Sequence, residues 1–413
     1  MTPQVLLFVE SNTTGSGMAA LTAAQGLGKR PVLLTSRPGR YRGLAATGAG
    51  VVLCDTNSAT ALRAAVAAFP AGELAGITTT SEFYVTAVAE LAARHGLPGN
   101  PPEAVRVSRD KAAVRRALAT ADLPRFAEVD TPDGIAGALA HVGLPCVVKP
   151  VDDSGSNLVR VCATEAEVRA QVSRVLARQV NVRDQPVAGR ALVEQYLTGP
   201  EVSVEMFGWA GGTTCVGVTA KQLTGFPHCV EHRHLYPADL GEAGTTRVAG
   251  LARDVLAATG LRTGPSHIEA RLTPAGPALV ELNPRLAGGM IPELVRLVDG
   301  IDLLEQQLRT CLGEQPRLRA ARAGCAGIQF LTAPRAGRLT EVAGIAAAAR
   351  VPGVVEVRIT AQAGDPVAPP DNAYGRLGFV IARGDDHAQV AHALDAASGQ
   401  ITVRLEAGHD RAS

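Results

Sequence analysis

The segment SHIEARLTPAGPALVELNPR holds the densest set of groups able to do chemistry. Two strand-like runs flank the turn residues Thr273, Pro274, Ala275 and Gly276, a pattern that predicts a β-hairpin. In that register Glu269 lies opposite Glu281 and His267 opposite Asn283. The two-residue period of a strand then sends all four side chains to one face, and Arg285 continues that face past the strand end. Facing carboxylates repel unless a cation sits between them. Glu269, Glu281 and the Asn283 carbonyl form an oxygen-only set that magnesium accepts beside phosphate oxygens. The competing reading is a solvated sheet face that carries its charges by chance.

Positive charge must come from elsewhere. Lys149 ends the apolar strand PCVVKP, where a lysine is costly to bury without an anionic partner. The small-residue loop DDSGSN follows, and backbone amides around Ser154, Gly155 and Ser156 can approach a phosphate closely. Lys111 stands in the first turn of a helix, after Ser108 and Asp110. Alone it reads as a solvated helix residue; beside Lys149 and the loop it reads as a phosphate contact. In VEQYLTGPEVSVE, a strand ending Glu194, Gln195, Tyr196, Leu197 offers backbone groups and apolar side chains to a flat heteroaromatic base, and Glu201 past the turn offers a carboxylate to ribose hydroxyls. Without the other two elements that segment is an ordinary strand and turn. Lys221 serves equally well as a further anion contact or as a strand-end lysine. His232 and His234 lack the third ligand that a transition metal needs.

Three units must position these groups. Residues 1–104 alternate short apolar runs (QVLLFVE, RPVLLTS, GAGVVLCDT, LAGITTT) with Ala-rich helical stretches, the βαβ rhythm of an open parallel sheet. Its turn TTGSG lacks the spacing of a dinucleotide fingerprint, and a structural turn is preferred over a cofactor loop. The cluster GLPGNPPEAV marks a boundary, after which residues 105–314 mix helices with successive antiparallel strands in an α+β pattern. Residues 315–413 carry short strands and one helix, DHAQVAHALDAAS, as a small closing α+β unit.

Composition limits the function further. With 46% hydrophobic and 19% charged residues over 413 positions, the chain suits a globular protein of several domains. A net charge of +1 and 3% aromatic residues give neither the basic footprint nor the stacking platforms of a nucleic-acid binder. Seven scattered cysteines, none spaced C-x-x-C, argue against a disulfide framework or a zinc site and for buried thiols in a reducing compartment. The N-terminus MTPQVLLFVESN reads as a first strand and not a signal peptide, and no apolar stretch is long enough for a membrane helix. A soluble, cytoplasmic protein with no membrane partner is expected.

Taken together, SRDKAAVRRAL, CVVKP, the DSGSN loop, VEQYLTGPEVSVE and HIEARL…LVELNPRLAGG resemble the ATP-grasp superfamily. Within it, the chain is similar to the carboxylate–amine ligases that include dipeptide-forming L-amino-acid ligases. The resemblance implies an ATP-grasp fold, with an N-terminal open parallel α/β domain and a small C-terminal α+β domain. It implies ATP as cofactor with magnesium or manganese, small-molecule carboxylate and amine substrates, an acyl-phosphate intermediate, and compatibility with a homodimer. Lys111 and Lys149 would bind ATP phosphates under the Ser154–Asn157 loop, Glu194 to Leu197 would hold adenine, and Glu201 the ribose. Glu269, Glu281 and Asn283 would bind the metal, and Arg285 together with Lys149 would stabilise the transferring phosphoryl group. TGFPHCVEHRHLYPADL is similar to the loop lining the amino-acid pocket, which places Glu231 and His234 with His267 and Arg285 on the substrate side. VDGIDLLEQQL resembles a helix of biotin carboxylase, but Gly289 stands where that group has its base, so biotin carboxylation is set aside. The nearest alternative is another ATP-grasp reaction, of purine-pathway or carboxylase type. A nicotinamide-dependent oxidoreductase and a non-enzymatic ATP-binding regulator are the more distant ones.

Overall fold

The computed structural model describes residues 3–13, 16–70, 72–118, 124–224 and 227–406. Four parallel strands, β1 (Val5–Val9), β2 (Arg30–Thr35), β3 (Gly50–Leu53) and β4 (Leu74–Thr78), lie in the order β3-β2-β1-β4. Both faces of β1 are covered, which is why it is apolar without alternation. Leu6 and Phe8 pack with Ala20 and Leu21 of helix Ser16–Gly26, while Val5, Leu7 and Val9 pack with Leu62, Val66 and Leu91 on the other side. Thr14 and Gly15 of the TTGSG turn lie outside the described residues. At Gly17 a Cβ would stand 1.8 Å from the Asn12 carbonyl oxygen, so the packing of the chain on itself demands glycine there.

A second, antiparallel sheet comprises β5 (Phe126–Val129), β6 (Cys146–Pro150), β7 (Arg160–Cys162) and β8 (Ala191–Gln195), ordered β5-β8-β6-β7. Helix Glu165–Leu176 covers it and starts with a capping box, Thr164 closed by Glu167. Cys146 and Cys162 stand opposite each other across β6 and β7 as buried free thiols. Burial pushes them up to about 12 and about 11.

The third sheet is built from β9 (Glu201–Trp209), β10 (Gly212–Leu223), β11 (Glu231–Tyr236), β12 (Gly264–Thr273) and β13 (Gly276–Asn283), continued by β14 (Cys325–Thr332), β16 (Val354–Ile359) and β18 (Arg376–Gly384). Its order is β13-β12-β9-β10-β11-β14-β18-β16, so the C-terminal strands extend the central sheet through the β11–β14 pair. A further sheet of β15 (Gly337–Ala343), β17 (Pro366–Val367) and β19 (Thr402–Leu405) flanks them. The sequence suggests a loop for EHRHLY; it is instead strand β11, because β14 supplies a backbone partner distant in sequence.

One face of the central sheet is apolar. Val202, Val204, Met206, Ile268 and Leu282 pack against Val248, Ala252 and Val255 of helix Gly241–Thr259. The opposite face is polar and meets the second sheet. Among the described residues no helix is long and apolar enough to cross a membrane.

Candidate active site

The polar face is assembled by register. Glu269 pairs with Glu281 and His267 with Asn283 across β12 and β13, as the hairpin pattern predicts. On β9, Ser203 stands beside Glu269, Glu205 beside His267 and Glu201 beside Arg271, and Glu201 also faces Lys221 of β10. The register shifts after Glu269, leaving Val280 as a bulge between Leu279 and Glu281. A bulge frees backbone groups from the ladder. Here the Val280 carbonyl accepts from Arg115 Nη2 at 2.8 Å and from Lys149 Nζ at 3.3 Å, tying the edge of the sheet to helix Lys111–Leu118 and to β6.

Lys221 is neither a solvated strand-end lysine nor free to meet an external anion. Its ammonium is fully buried, 2.6 Å from Glu269 Oε1, 3.9 Å from Glu201 Oε1 and in close contact with Glu231. Burial alone would push it down, yet these carboxylates hold it well above the usual lysine range. Glu269 is driven the other way: burial raises it, but Lys221 and His267 hold it well below the carboxylate range. Burial pushes Glu201 up to about 7 against Lys221 and against Arg271, whose Nε lies 3.0 Å from its Oε2. The Glu201 carboxylate, expected to meet ribose, is engaged by Arg271 in this state.

His267 links two carboxylates, with Nδ1 2.9 Å from Glu205 and Nε2 3.1 Å from Glu269. Burial would lower it, but Glu205 chiefly raises it to about 9. A raised histidine contributes stability below its unfolded pKa and loses it as the pH climbs through the folded value. Unfolding free energy is therefore expected to fall by at most about 3 kcal/mol between roughly pH 6 and pH 10. Urea titrations across that range should show a smaller fall in His267→Gln; an identical fall in both proteins would remove His267 as its source.

Helix Lys111–Leu118 and strand β6 present Lys111 and Lys149. Lys111 Nζ is 3.2 Å from Glu281 Oε1 and donates to the Asp153 carbonyl at 2.7 Å. The anion beside Lys149 is Glu194, at 2.7 Å, which also takes Arg115 Nε at 2.6 Å. Burial raises Glu194, but Arg115 and then Lys149 hold it below the ordinary range. Glu194 thus turns into the cation cluster, and β8 stops at Gln195, two residues earlier than the sequence suggests. The backbone of β8 is paired on both sides by β5 and β6, so only Tyr196 and Leu197 lie past the strand, half-buried. The glycine-rich loop is pinned by buried Asp153, which accepts from the Ser154 amide at 2.9 Å and Asn157 Nδ2 at 2.7 Å. Gly155 and Ser156 adopt φ of +73° and +57°, a tight bend that favours glycine at its first residue.

Arg285 donates from Nη2 to Asn283 Oδ1 at 3.3 Å and closely contacts Glu82. Glu82, in the turn after β4, is buried and also bonds Arg109 at 2.5 Å. Burial raises it, but Arg285 and Arg109 keep it ionised. Nothing in SEFY pointed to this role. Arg115 was more legible, since it follows Lys111 by one helical turn on the same face.

A second bulge, at His232, brings Glu231 onto the face of Lys221 and His234. His234 is buried, and neither ring nitrogen has a hydrogen-bond partner; Glu231 Oε2 is 3.5 Å away. Burial lowers its pKa, so the ring is neutral at physiological pH. Gly289 lies against it, with a hypothetical Cβ 2.6 Å from His234 Cε1, and Phe330 packs edge-on at 5.3 Å. Among the described residues no cluster of three or more His, Cys, Asp or Glu is arranged to hold a metal, and the expected set has only two carboxylates beside an amide. A separate groove of about 430 Å³ opens at the carboxyl edge of β2 and β3, lined by Arg37, Asp55, Asn57 and Arg183 among others. It shares no residue with the cluster described above.

Two family models match the chain: an ATP-grasp domain over residues 142–293, and the L-amino acid ligase C-terminal domain 2 over residues 329–406. The uncharacterised protein y4rH of Sinorhizobium fredii is 31% identical over 92% of the chain and 78% of its own length. Carnosine synthase 1 of Mus musculus is 26% identical over 57% of the chain, which spans only 31% of that enzyme. In fold, the crystal structure of an L-amino acid ligase from Bacillus licheniformis superposes with a TM-score of 0.81 at 20% identity, covering 98% of this chain and all of that one.

Proposed function

The chain belongs to the ATP-grasp superfamily of ligases, with the C-terminal domain of its L-amino acid ligases, and from that premise we propose that it joins a carboxylate to an amine through an acyl phosphate, one partner being an amino acid. The observation that carries this reading is the polar sheet face. Ionised Glu269 stands opposite Glu281, flanked by Asn283 and Arg285, and Lys111 and Lys149 reach the hairpin from helix Lys111–Leu118 and β6.

The donor chemistry fits a hard divalent cation. Glu269 and Glu281 each rest against an ammonium group, which marks a position where positive charge is required. Glu269, Glu281 and Asn283 would hold magnesium or manganese, which when bound would neutralise charge on the phosphates. The rest falls to the chain's own groups. Lys111 and Lys149 exchange their carboxylate partners for phosphate oxygens, and the loop around Gly155 covers the phosphates and excludes water. Arg285, oriented by Glu82 and Asn283, spreads its fork over the transferring phosphoryl group. A substrate carboxylate oxygen bonds to the γ-phosphorus while the bond to the β–γ bridging oxygen breaks, releasing ADP. The amine then attacks the acyl carbon and loses a proton, and inorganic phosphate departs. Glu231 offers a carboxylate to an amino-acid ammonium, and the unpartnered nitrogens of His234 offer a hydrogen bond to its carboxylate.

A phosphate-release screen over pairs of amino acids tests the reading, with hydroxylamine as a generic acceptor. Metal-dependent release of ADP and phosphate, with hydroxamate formed from one amino acid, is the expected result. ATP that stays intact with every pair would sink the proposal.

A further inference from the structure

One short segment of the C-terminal region touches both the glycine-rich loop and Glu231. In the turn Ala373–Gly375 the Ala373 amide donates to the Gly155 carbonyl at 3.1 Å. The Tyr374 ring lies on the same glycine, since a Cβ on Gly155 would stand 3.0 Å from the Tyr374 hydroxyl oxygen and 3.1 Å from its Cζ. Asn372 fixes the turn by accepting from the Tyr374 amide at 2.8 Å. Two residues after Tyr374, Arg376 donates from Nη2 to both the backbone carbonyl and Oε2 of Glu231, each at 3.0 Å. Its guanidinium carbon sits 3.6 Å from the centre of the Phe330 ring, and its Nε is buried without a hydrogen-bond partner. Glu231 in turn contacts Lys221, which bonds Glu269 of the hairpin.

We infer that Tyr374 and Arg376 form a latch through which an amino acid bound at Glu231 strengthens the hold on the glycine-rich loop. The inference rests on the reading above, in which that loop covers phosphate and Glu231 meets an amino acid. An ammonium entering beside Glu231 changes the anion that Arg376 holds. With its other face stacked on Phe330, Arg376 re-seats on Glu231, and the rigid turn passes the shift to Tyr374. A ligand moves a closure equilibrium only through contacts that differ between the two states. The contact through which the coupling runs is Tyr374 on Gly155, made here and altered when Arg376 shifts. Both residues are positioning residues: Arg376 acts through Glu231, and Tyr374 through the loop. Tyr374 is 56% exposed, so truncating it leaves the core intact.

The test is a titration of magnesium AMP-PNP into the whole chain, with and without an excess of mixed L-amino acids. Amino acids are expected to tighten AMP-PNP binding about tenfold in the unaltered protein, within the usual range of coupling between sites. Tyr374→Ala and Arg376→Ala should bind AMP-PNP alone within about twofold of the unaltered protein yet lose the tightening, whereas Tyr374→Phe, which keeps the ring, should retain it. The latch is overturned if both alanine variants keep the tightening, if Tyr374→Phe loses it, or if the unaltered protein consumes ATP with amino acids but shows no tightening. If the unaltered protein consumes no ATP with any amino-acid pair, the ligase reading fails and the latch with it.

Discussion

Arg285→Met is expected to lower ADP formation about a thousandfold while leaving the fold intact, since an arginine on a transferring phosphoryl group contributes on that scale. Arg285 is held by Glu82 and by Asn283 Oδ1, and its Nη1 donates to the Leu286 carbonyl at 2.9 Å. Its fork is therefore ordered before any ligand arrives. When it is removed, Glu82 keeps Arg109 at 2.5 Å, so no uncompensated buried carboxylate results. Lysine should not restore the rate, because a point charge cannot reproduce the planar pair of donors. Single-turnover ADP release under saturating ATP is the measurement. A variant within about tenfold of the unaltered enzyme would place Arg285 outside the reaction.

Glu194→Leu is expected to cost about 3–5 kcal/mol of stability, because it strands two cations in a dry site. The Arg115 and Lys149 side chains are only 1% and 6% exposed, and Glu194 is the carboxylate they share. If Lys149 meets ATP phosphates as proposed, nucleotide supplies the missing anion. Magnesium AMP-PNP should then stabilise Glu194→Leu more than it stabilises the unaltered protein, a difference readable from urea midpoints followed by circular dichroism. Equal stabilisation of the two proteins would mean that Lys149 serves only the Glu194 pair.

Both variants probe ion pairs that the sequence did not reveal. PCVVKP signals that Lys149 needs an anion, but the choice of Glu194 depends on β6 and β8 lying side by side. The same holds for Glu82, which the sequence shows only as one acid in a loop and which the turn after β4 delivers to Arg285. Lys221 was ambiguous for a related reason. Its surroundings come from β9, β11 and β12, and no local pattern states which strands will be neighbours.

What the sequence alone determined is local in origin. The turn Thr273–Gly276 and the two-residue strand period place the hairpin and its polar face, while the one-residue bulge at Val280, without which Glu269 would meet Val280, sets Glu269 opposite Glu281 and His267 opposite Asn283. The apolar run of β1 was legible for the same reason. The tertiary structure decided which charges neutralise one another, that EHRHLY is a strand, and where the sheet bulges. The bulges at Val280 and His232 matter most for the site. The first aims a backbone carbonyl at Arg115 and Lys149, and the second turns Glu231 toward Lys221. A bulge is set by the register of two strands against each other, and an ion pair by burial of both partners together. Both are properties of segments that meet only when the chain has folded.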